Sequence, residues 1–185
     1  MSLKPKKSLG QNFLHDKNVI NKIIHAAEIS PNDEVLEIGP GTGNLTKFII
    51  SQKPKKIHVI EKDKNLANIL EKQYLNKINV IKDDVLEIPY EFYTGKKFLI
   101  LGNLPYNIST KILSNWCLNK NLTVSKMILM FQKEVAERII AHPGSKARSR
   151  ISLKTELFTN AKIVHNIPAA CFIPKPKIDS SLLHF

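Results

Sequence analysis

The chain has few cysteines and no long apolar run, and each absence excludes a class of protein. Its two cysteines, Cys117 and Cys171, lie far apart and show neither disulfide nor metal-ligand spacing, which is typical of a reducing compartment. No apolar stretch approaches the ~18 residues of a membrane span. The basic N-terminus also lacks the apolar stretch of a signal peptide. We therefore expect a soluble, cytoplasmic protein with no membrane partner.

Metal-binding patterns are also missing. The histidines show no ligand spacing; they are His15, His25, His58, His142, His165 and His184. The His-x-Glu and Pro-Cys-x-x-Cys elements of zinc deaminases are absent, which argues against deamination of adenine. The sequence predicts no metal site.

Acidic residues are scarce relative to basic ones. The 185 residues include 16 Asp and Glu against 28 Lys and Arg, which gives a formal charge of +12. An excess of this size favours an anionic partner, nucleic acid before an acidic membrane. The alternative is a lysine-rich proteome, since much of the excess is Lys scattered among Asn and Ile.

The length suits a single domain, 1–185, without repeats or low-complexity tracts. Residues 1–10 are basic and polar, and we expect them to form a flexible arm. Apolar runs then alternate with helical patterns. The predicted strands are 35–38, 57–60, 78–81, 98–101, 127–131, 162–167 and 179–185. Apolar residues at helical spacing within 19–27 predict a first helix. The other predicted helices are 44–52, 64–74, 109–118, 132–141 and 151–158.

Alternation of strands and helices implies right-handed crossovers and a parallel sheet. The last two strands are joined only by a proline-rich segment containing Pro168, Pro174 and Pro176. Because this segment is too short for a helical crossover, we expect that pair to be antiparallel. The sequence predicts an α/β fold with a seven-stranded, mostly parallel sheet and one antiparallel strand.

The segment Asn103-Leu104-Pro105-Tyr106 directly follows the apolar run 98–101. It therefore lies at the carboxyl end of a predicted strand, where open α/β sheets bind ligands. Asn103 offers an amide oxygen as acceptor, and Tyr106 offers a ring on which a base can stack. Together they suit the exocyclic amino group of a nucleobase. The alternative is an ordinary strand-to-helix turn, for which Asn and Pro are common residues.

A glycine-rich turn, 39–43, follows the first predicted strand of the sheet with glycine at alternate positions. Its G-x-G-x-G pattern differs from the dinucleotide G-x-G-x-x-G. Glu61 ends the next strand, where a carboxylate can bind both ribose hydroxyls. Asp83 and Asp84 end the third strand, where an adenine amino group could be bound; for Asp83 we favour a solvated turn acid. These positions favour S-adenosylmethionine, with NAD as the main competitor.

Five motifs together resemble one family, the rRNA adenine N6,N6-dimethyltransferases, in particular the bacterial small-subunit type linked to kasugamycin sensitivity. The motifs run in family order from residue 7 to the end of the chain. They are Lys7-x-x-Gly10-Gln11-Asn12-Phe13-Leu14, Leu36-Glu37-Ile38-Gly39-Pro40-Gly41-x-Gly43-x-Leu45-Thr46, Asn103–Thr110, Gln132-Lys133-Glu134-Val135-Ala136-x-Arg138 and Phe172-x-Pro174-x-Pro176-Lys177-x-Asp179-Ser180-Ser181.

The resemblance implies a Rossmann-like, S-adenosylmethionine-dependent methyltransferase fold. It also implies dimethylation of N6 on two adjacent adenines near the 3′ end of small-subunit rRNA, during maturation of the small ribosomal subunit. The implied partner is that rRNA or the immature subunit, with the protein acting as a monomer. Two alternatives stay open: a large-subunit rRNA methyltransferase of the erythromycin-resistance type, and a non-catalytic ribosome-assembly or RNA-binding factor.

The resemblance also assigns roles to individual residues. Those expected to bind S-adenosylmethionine are Gln11, Asn12 and Leu14 at the methionine end, Gly39 and Gly41 along the backbone, Glu61 at the ribose and Asp84 at the adenine. Asn103 is expected to face both donor and target, with the Leu104 carbonyl accepting a second amino hydrogen. Tyr106 and Phe172 are expected to enclose the extruded base.

The chain departs from the family in two places. Members continue into a small helical domain that helps to hold RNA, whereas this chain stops at Phe185, so we expect a catalytic domain without the C-terminal helical domain. Lys62 stands where an apolar residue is usual, and we expect it to leave the role of Glu61 unchanged.

Two further sets of charged residues are given no role by the resemblance. Lys146, Arg148 and Arg150 form a basic loop that we expect to contact RNA, with a solvated loop as the alternative. Glu134 and Arg138 lie one helical turn apart, and their spacing predicts a structural ion pair.

Overall fold

The computed structural model describes residues 5, 6 and 9–185. Lys7 of the first motif, and most of the predicted arm, lie outside the described residues. Lys6 is described, and its ammonium lies 2.8 Å from the Asp63 carboxylate. The described part of the predicted arm therefore contacts the domain, at Lys6 and also at Leu9 and Gly10, which line a cleft.

The strands are β1 (Phe13–Leu14), β2 (Glu34–Ile38), β3 (Lys56–Ile60), β4 (Asn79–Ile81), β5 (Lys97–Asn103), β6 (Thr123–Gln132), β7 (Lys162–Ile167), β8 (Phe172–Ile173) and β9 (Ser180–His184). The α-helices are α1 (Lys17–Ala27), α2 (Asn44–Ser51), α3 (Lys64–Gln73), α4 (Ser109–Leu118), α5 (Lys133–Ile139) and α6 (Arg150–Phe158). All predicted elements are present, and β5 and β6 extend beyond their apolar runs.

Seven strands form one sheet in the order β4-β3-β2-β5-β6-β9-β7. Only β9 runs against the others, since it pairs antiparallel with both β6 and β7. The prediction of a mostly parallel sheet with one antiparallel strand is therefore confirmed. A second, two-stranded sheet joins β1 to β8, and the sequence analysis missed it. Strands of two residues are too short to show an alternating pattern.

Both faces of the sheet are covered, which explains its continuous apolar runs. Along β5, Leu99 and Leu101 pack on the face that α1 and α2 cover, and Phe98 and Ile100 pack on the opposite face with α4. The order of the strands reverses beside β2, which lies between β3 and β5. At such a switch point the loops after neighbouring strands diverge and leave a crevice for ligands.

Candidate active site

A cleft of about 950 Å³, including its open mouth, lies at the carboxyl edge of the sheet. The loops after β2, β3 and β4 and the end of β5 form its walls. Residues 9–14, which we call the strap, also line it. The predicted residues that line the cleft are Gln11, Asn12, Leu14, Gly39, Gly41, Glu61, Asp84, Asn103, Leu104 and Tyr106.

The glycine turn is closely covered by the strap. Gly41 has a φ of 58°, and a Cβ atom built on it would lie 2.8 Å from the Phe13 ring. A side chain at Gly41 would therefore be strained and would also displace Phe13. A Cβ at Gly39, whose φ is 63°, would face the Asn103 carbonyl oxygen at 3.6 Å. The turn thus leaves backbone, rather than side chains, facing the cleft.

Glu61 is held rigidly by backbone donors. The Gly41 N–H donates to Oε2 at 3.0 Å, and the Asp63 N–H donates to Oε1 at 2.8 Å. Burial raises the pKa of this carboxyl above its usual range, while the same two hydrogen bonds act in the opposite direction. Each carboxylate oxygen can accept more than one hydrogen bond. Glu61 therefore retains acceptor capacity on both oxygens for a pair of hydroxyls.

Asp84 lies at the end of the cleft beside Lys62. The Lys62 Nζ is 2.7 Å from Asp84 Oδ2, and the Leu86 N–H donates to Oδ1 at 2.9 Å. Burial by itself would raise the pKa of Asp84, but the hydrogen bond from Lys62 holds it below its usual range. Asp83 is exposed, as the sequence suggested. The unusual Lys62 thus contacts the predicted adenine-binding residue, which the sequence analysis did not anticipate.

The strap is attached to the walls by its own polar groups. Gln11 accepts from the Lys6 N–H at 2.7 Å and donates to Asp63 Oδ2 at 3.2 Å. The Leu14 carbonyl accepts from Asn44 Nδ2 at 2.7 Å. The side chain of Gln11 therefore fixes the strap beside Glu61, in addition to lining the cleft.

Asn103 is the last residue of β5, and the strap fixes its orientation. Its Nδ2 donates to the Asn12 carbonyl oxygen at 2.7 Å. Because the amide nitrogen is used in this way, the Oδ1 atom is the acceptor left to face a ligand.

Tyr106 and Phe172, the two predicted stacking rings, occupy different environments. The Tyr106 ring lines the cleft, and its hydroxyl lies 2.6 Å from Ser180 Oγ. Burial raises the pKa of the Tyr106 hydroxyl. Phe172 is only 1% exposed and packs in the core with Leu14. Phe172 pairs with Leu14 through β8 and β1 and does not line the cleft in this structure, so its role as a second stacking ring stays a prediction.

Glu37 is a cleft residue to which the sequence analysis gave no role. It is buried within β2, and the Thr46 hydroxyl donates to its Oε2 at 2.7 Å. Burial raises the pKa of this carboxyl to about 8. The available signal was an acid inside an otherwise apolar strand.

The three basic residues predicted to share a loop are not equivalent, and Arg150 is the first residue of α6. Lys146 and Arg150 are exposed. Arg148 donates to the Ala141 carbonyl at 2.9 Å and forms an ion pair with Glu156 on α6. Arg148 therefore holds the loop in place, whereas the other two face solvent.

The structure also tests the predicted ion pair between Glu134 and Arg138. Glu134 and Arg138 are both exposed, and within residues 9–185 no ion pair joins them, so that prediction is wrong.

The described part of the chain brings no three His, Cys, Asp or Glu side chains together as metal ligands. Of the helices described, none has the length and apolar character needed to cross a membrane.

Comparison with known proteins agrees with this geometry. A family model for ribosomal RNA adenine dimethylase matches residues 2–185. The ribosomal RNA small subunit methyltransferase A of Pelagibacter ubique is 48% identical, over 100% of this chain and 71% of that protein. The protein of the same name from Halothermothrix orenii is 39% identical, over 98% and 62%. The chain thus spans 62% of one of these curated relatives and 71% of the other.

Solved structures show the same fold. A dimethyladenosine transferase from Plasmodium falciparum superposes with a TM-score of 0.84 at 32% identity, over 93% of this chain and 62% of that one. The 23S rRNA methyltransferase ErmE gives 0.80 at 29% identity, over 94% and 68%. The predicted methyltransferase fold is confirmed. From its sheet, its cleft and these matches, the chain belongs to the ribosomal RNA adenine dimethylase family.

Proposed function

We propose that this chain transfers methyl groups from S-adenosylmethionine to N6 of two adjacent adenines near the 3′ end of small-subunit rRNA. We further propose that it acts as a monomer, in the cytoplasm, on the immature small subunit. The observation that carries the proposal is the orientation of Asn103. Its amide nitrogen donates to the strap, which leaves its side-chain oxygen as an acceptor on a residue that lines the cleft.

The cleft fits a nucleoside cofactor. Its walls combine apolar side chains, such as Ile60 and Val85, with carboxylates at two strand ends. Glu61 would accept from the ribose hydroxyls. The Asp84 carboxylate would accept from the adenine amino group as well as from Lys62. The strap residues Gln11, Asn12 and Leu14 would line the methionine end, and the bare backbone at Gly39 and Gly41 would allow close approach.

The target nitrogen needs positioning more than it needs a base. S-adenosylmethionine, when bound, supplies an electrophilic methyl group on a sulfonium. The adenine N6 lone pair is delocalised into the ring, which makes N6 a poor nucleophile. Asn103 Oδ1 and the Leu104 carbonyl would each accept one N6 hydrogen, which draws the lone pair out of conjugation. N6 so positioned would take the methyl group, the electron pair of the C–S bond would stay on the sulfur, and N6 would then lose a proton to water.

Tyr106 would hold the target base after it leaves the RNA stack. Tyr106 lines the same cleft as Asn103 and Leu104, so a base stacked on its ring would lie near both proposed acceptors. Base–aromatic stacking contributes about 1–3 kcal/mol per base. The proposed base-binding site therefore rests first on Tyr106, since Phe172 is buried beside the cleft rather than lining it.

Electrostatics support an RNA substrate. The formal charge of +12 favours binding to phosphates, and exposed Lys146 and Arg150 are the basic loop residues available for it. The 39 and 48% identity to small-subunit enzymes favours that substrate over the large-subunit alternative, since ErmE is 29% identical. A purely binding role is less well supported, because it requires neither the glycine turn nor an oriented Asn103.

Methyl incorporation with tritiated S-adenosylmethionine tests the proposal. Small subunits from a strain lacking this modification are compared with fully modified small subunits and with large subunits. We expect incorporation only into the unmodified small subunits. Incorporation into large subunits alone would favour the erythromycin-resistance type. Binding without any incorporation would favour an assembly factor.

A further inference from the structure

Ser180 holds the outer end of the Tyr106 side chain. The two hydroxyl oxygens are 2.6 Å apart, although the residues are 74 positions apart in the chain. At the other end of the residue, the Tyr106 carbonyl accepts from the Ser109 hydroxyl at 3.2 Å. Tyr106 is therefore fixed both at its backbone and at the tip of its ring.

Ser180 is itself in a rigid position. It begins β9, which lies between β6 and β7, and it is aligned with Gln132 on one side and Ile167 on the other. Its exposure is 0%. The preceding Asp179 accepts from the Ala169 N–H at 2.9 Å through its side chain. The start of β9 is thus anchored before the chain reaches the hydroxyl that contacts Tyr106.

We infer that Ser180 is a positioning residue for capture of the target adenine, because it sets the plane of the Tyr106 ring. This inference rests on the proposed function. A tyrosine ring on a loop rotates about two side-chain bonds, and a stacking partner needs one of those orientations. The hydrogen bond to β9, a strand paired on both sides, selects that orientation before RNA arrives. Ser180 acts through Tyr106 and touches neither base nor cofactor.

Ser181 provides a matched control. It is the next residue of β9, its exposure is also 0%, and it too makes a side-chain hydrogen bond. That bond runs to Asn166 on β7 at 2.8 Å, away from the cleft. Loss of either hydroxyl should disturb the strand to a similar degree, but only loss of the Ser180 hydroxyl frees the ring of Tyr106.

The test compares Ser180→Ala, Ser181→Ala, Tyr106→Phe and the double variant Ser180→Ala/Tyr106→Phe. We expect Ser180→Ala and Tyr106→Phe each to lower kcat/KM for unmodified small subunits about tenfold, the scale of one buried hydrogen bond. The double variant should lose no more than either single variant, since both remove the same contact. S-adenosylmethionine affinity should stay unchanged in all four, and Ser181→Ala should keep normal kcat/KM.

A second readout follows the base directly. RNA carrying 2-aminopurine at the target position reports extrusion and stacking by its fluorescence, and Ser180→Ala should weaken that response while Ser181→Ala leaves it intact. Tyr106→Phe tests the same bond if Ser180→Ala does not fold. Normal kcat/KM in Ser180→Ala or Tyr106→Phe, an equal loss in Ser181→Ala, or additive losses in the double variant would each overturn the inference. Absence of methyl transfer by the unsubstituted protein would instead reject the proposed function.

Discussion

The two halves of the cleft are held in place by different kinds of contact. In the cofactor half (Gly39, Gly41, Glu61 and Asp84), backbone N–H groups from the same sheet edge fix Glu61. In the target half (Asn103, Leu104 and Tyr106), side chains are fixed by partners distant in the chain, the strap for Asn103 and β9 for Tyr106. Backbone donors position Glu61 in the first half, although Asp84 there also contacts the Lys62 side chain, whereas the second half depends on side-chain contacts between distant segments. Substitutions should therefore affect the two halves separately.

The largest effect should come from Asn103→Ala in the target half. Turnover should fall about 100- to 1,000-fold, because one preorganised polar group that acts on the reacting nitrogen is lost. Binding of bulk RNA should barely change, since phosphate contacts supply most of it. Methyl incorporation and RNA affinity are measured in parallel. The exposed neighbour Asn107 serves as the control, with Asn107→Ala expected to stay near normal. Undiminished turnover in Asn103→Ala would contradict the mechanism.

In the cofactor half, the corresponding substitution is Glu61→Ala. We expect S-adenosylmethionine affinity to fall about 10- to 100-fold, the scale of hydrogen bonds to a charged group. Calorimetry without RNA measures this, and Glu91→Ala, at an exposed acid that does not line the cleft, is the control. The separation of the halves predicts unchanged RNA affinity in Glu61→Ala. Binding of NAD, with no binding of S-adenosylmethionine or its demethylated product, would reject the cofactor assignment.

The buried Glu37 should make stability depend on pH. Its folded pKa of about 8 lies above the ordinary 4.5, so its protonated form is favoured in the folded state. The stabilisation that protonated Glu37 gives the folded state is fully present below about pH 4.5 and is lost as pH rises through 8. Over this range the free energy of unfolding falls by up to about 1.4 kcal/mol per pH unit. Glu37→Gln should flatten the decline in the free energy of unfolding between pH 5 and 8, measured by urea denaturation. An unchanged slope would show that another group causes the decline.

The smallest effect should come from the basic loop. Replacing Lys146 and Arg150 by Ala should weaken RNA binding and reduce the salt slope by about 1.5 units, since each phosphate contact contributes about 0.7–0.9. Arg148→Ala should instead lower the free energy of unfolding by about 1 kcal/mol, because it removes hydrogen bonds within the chain. Binding is measured over a series of salt concentrations. An unchanged slope in the Lys146/Arg150 double variant would exclude these residues as RNA contacts.

The difference between the two halves of the cleft also explains which features could be predicted from the sequence. The apolar run of β5 placed Asn103 at a strand end, and parallel topology then brought Glu61 and Asp84 to the same edge. Sheet geometry alone requires these positions.

The remaining features depend on contacts between distant segments. Burial of Phe172 follows from its pairing with Leu14 in two strands of two residues each. The bond from Tyr106 to Ser180 and the ion pair of Arg148 with Glu156 likewise leave no periodic pattern in the sequence. The motifs include Tyr106, Phe172 and Ser180, but only the folded chain shows which partner each side chain contacts.

The most direct test of the central claim is mass spectrometry of small-subunit rRNA fragments after incubation of unmodified subunits with this protein and S-adenosylmethionine. The account predicts four added methyl groups, as two adjacent N6,N6-dimethyladenosines near the 3′ end, and their near absence when Asn103→Ala replaces the unsubstituted protein over the same time. No added methyl group with the unsubstituted protein, or methylation elsewhere in the rRNA, would contradict it.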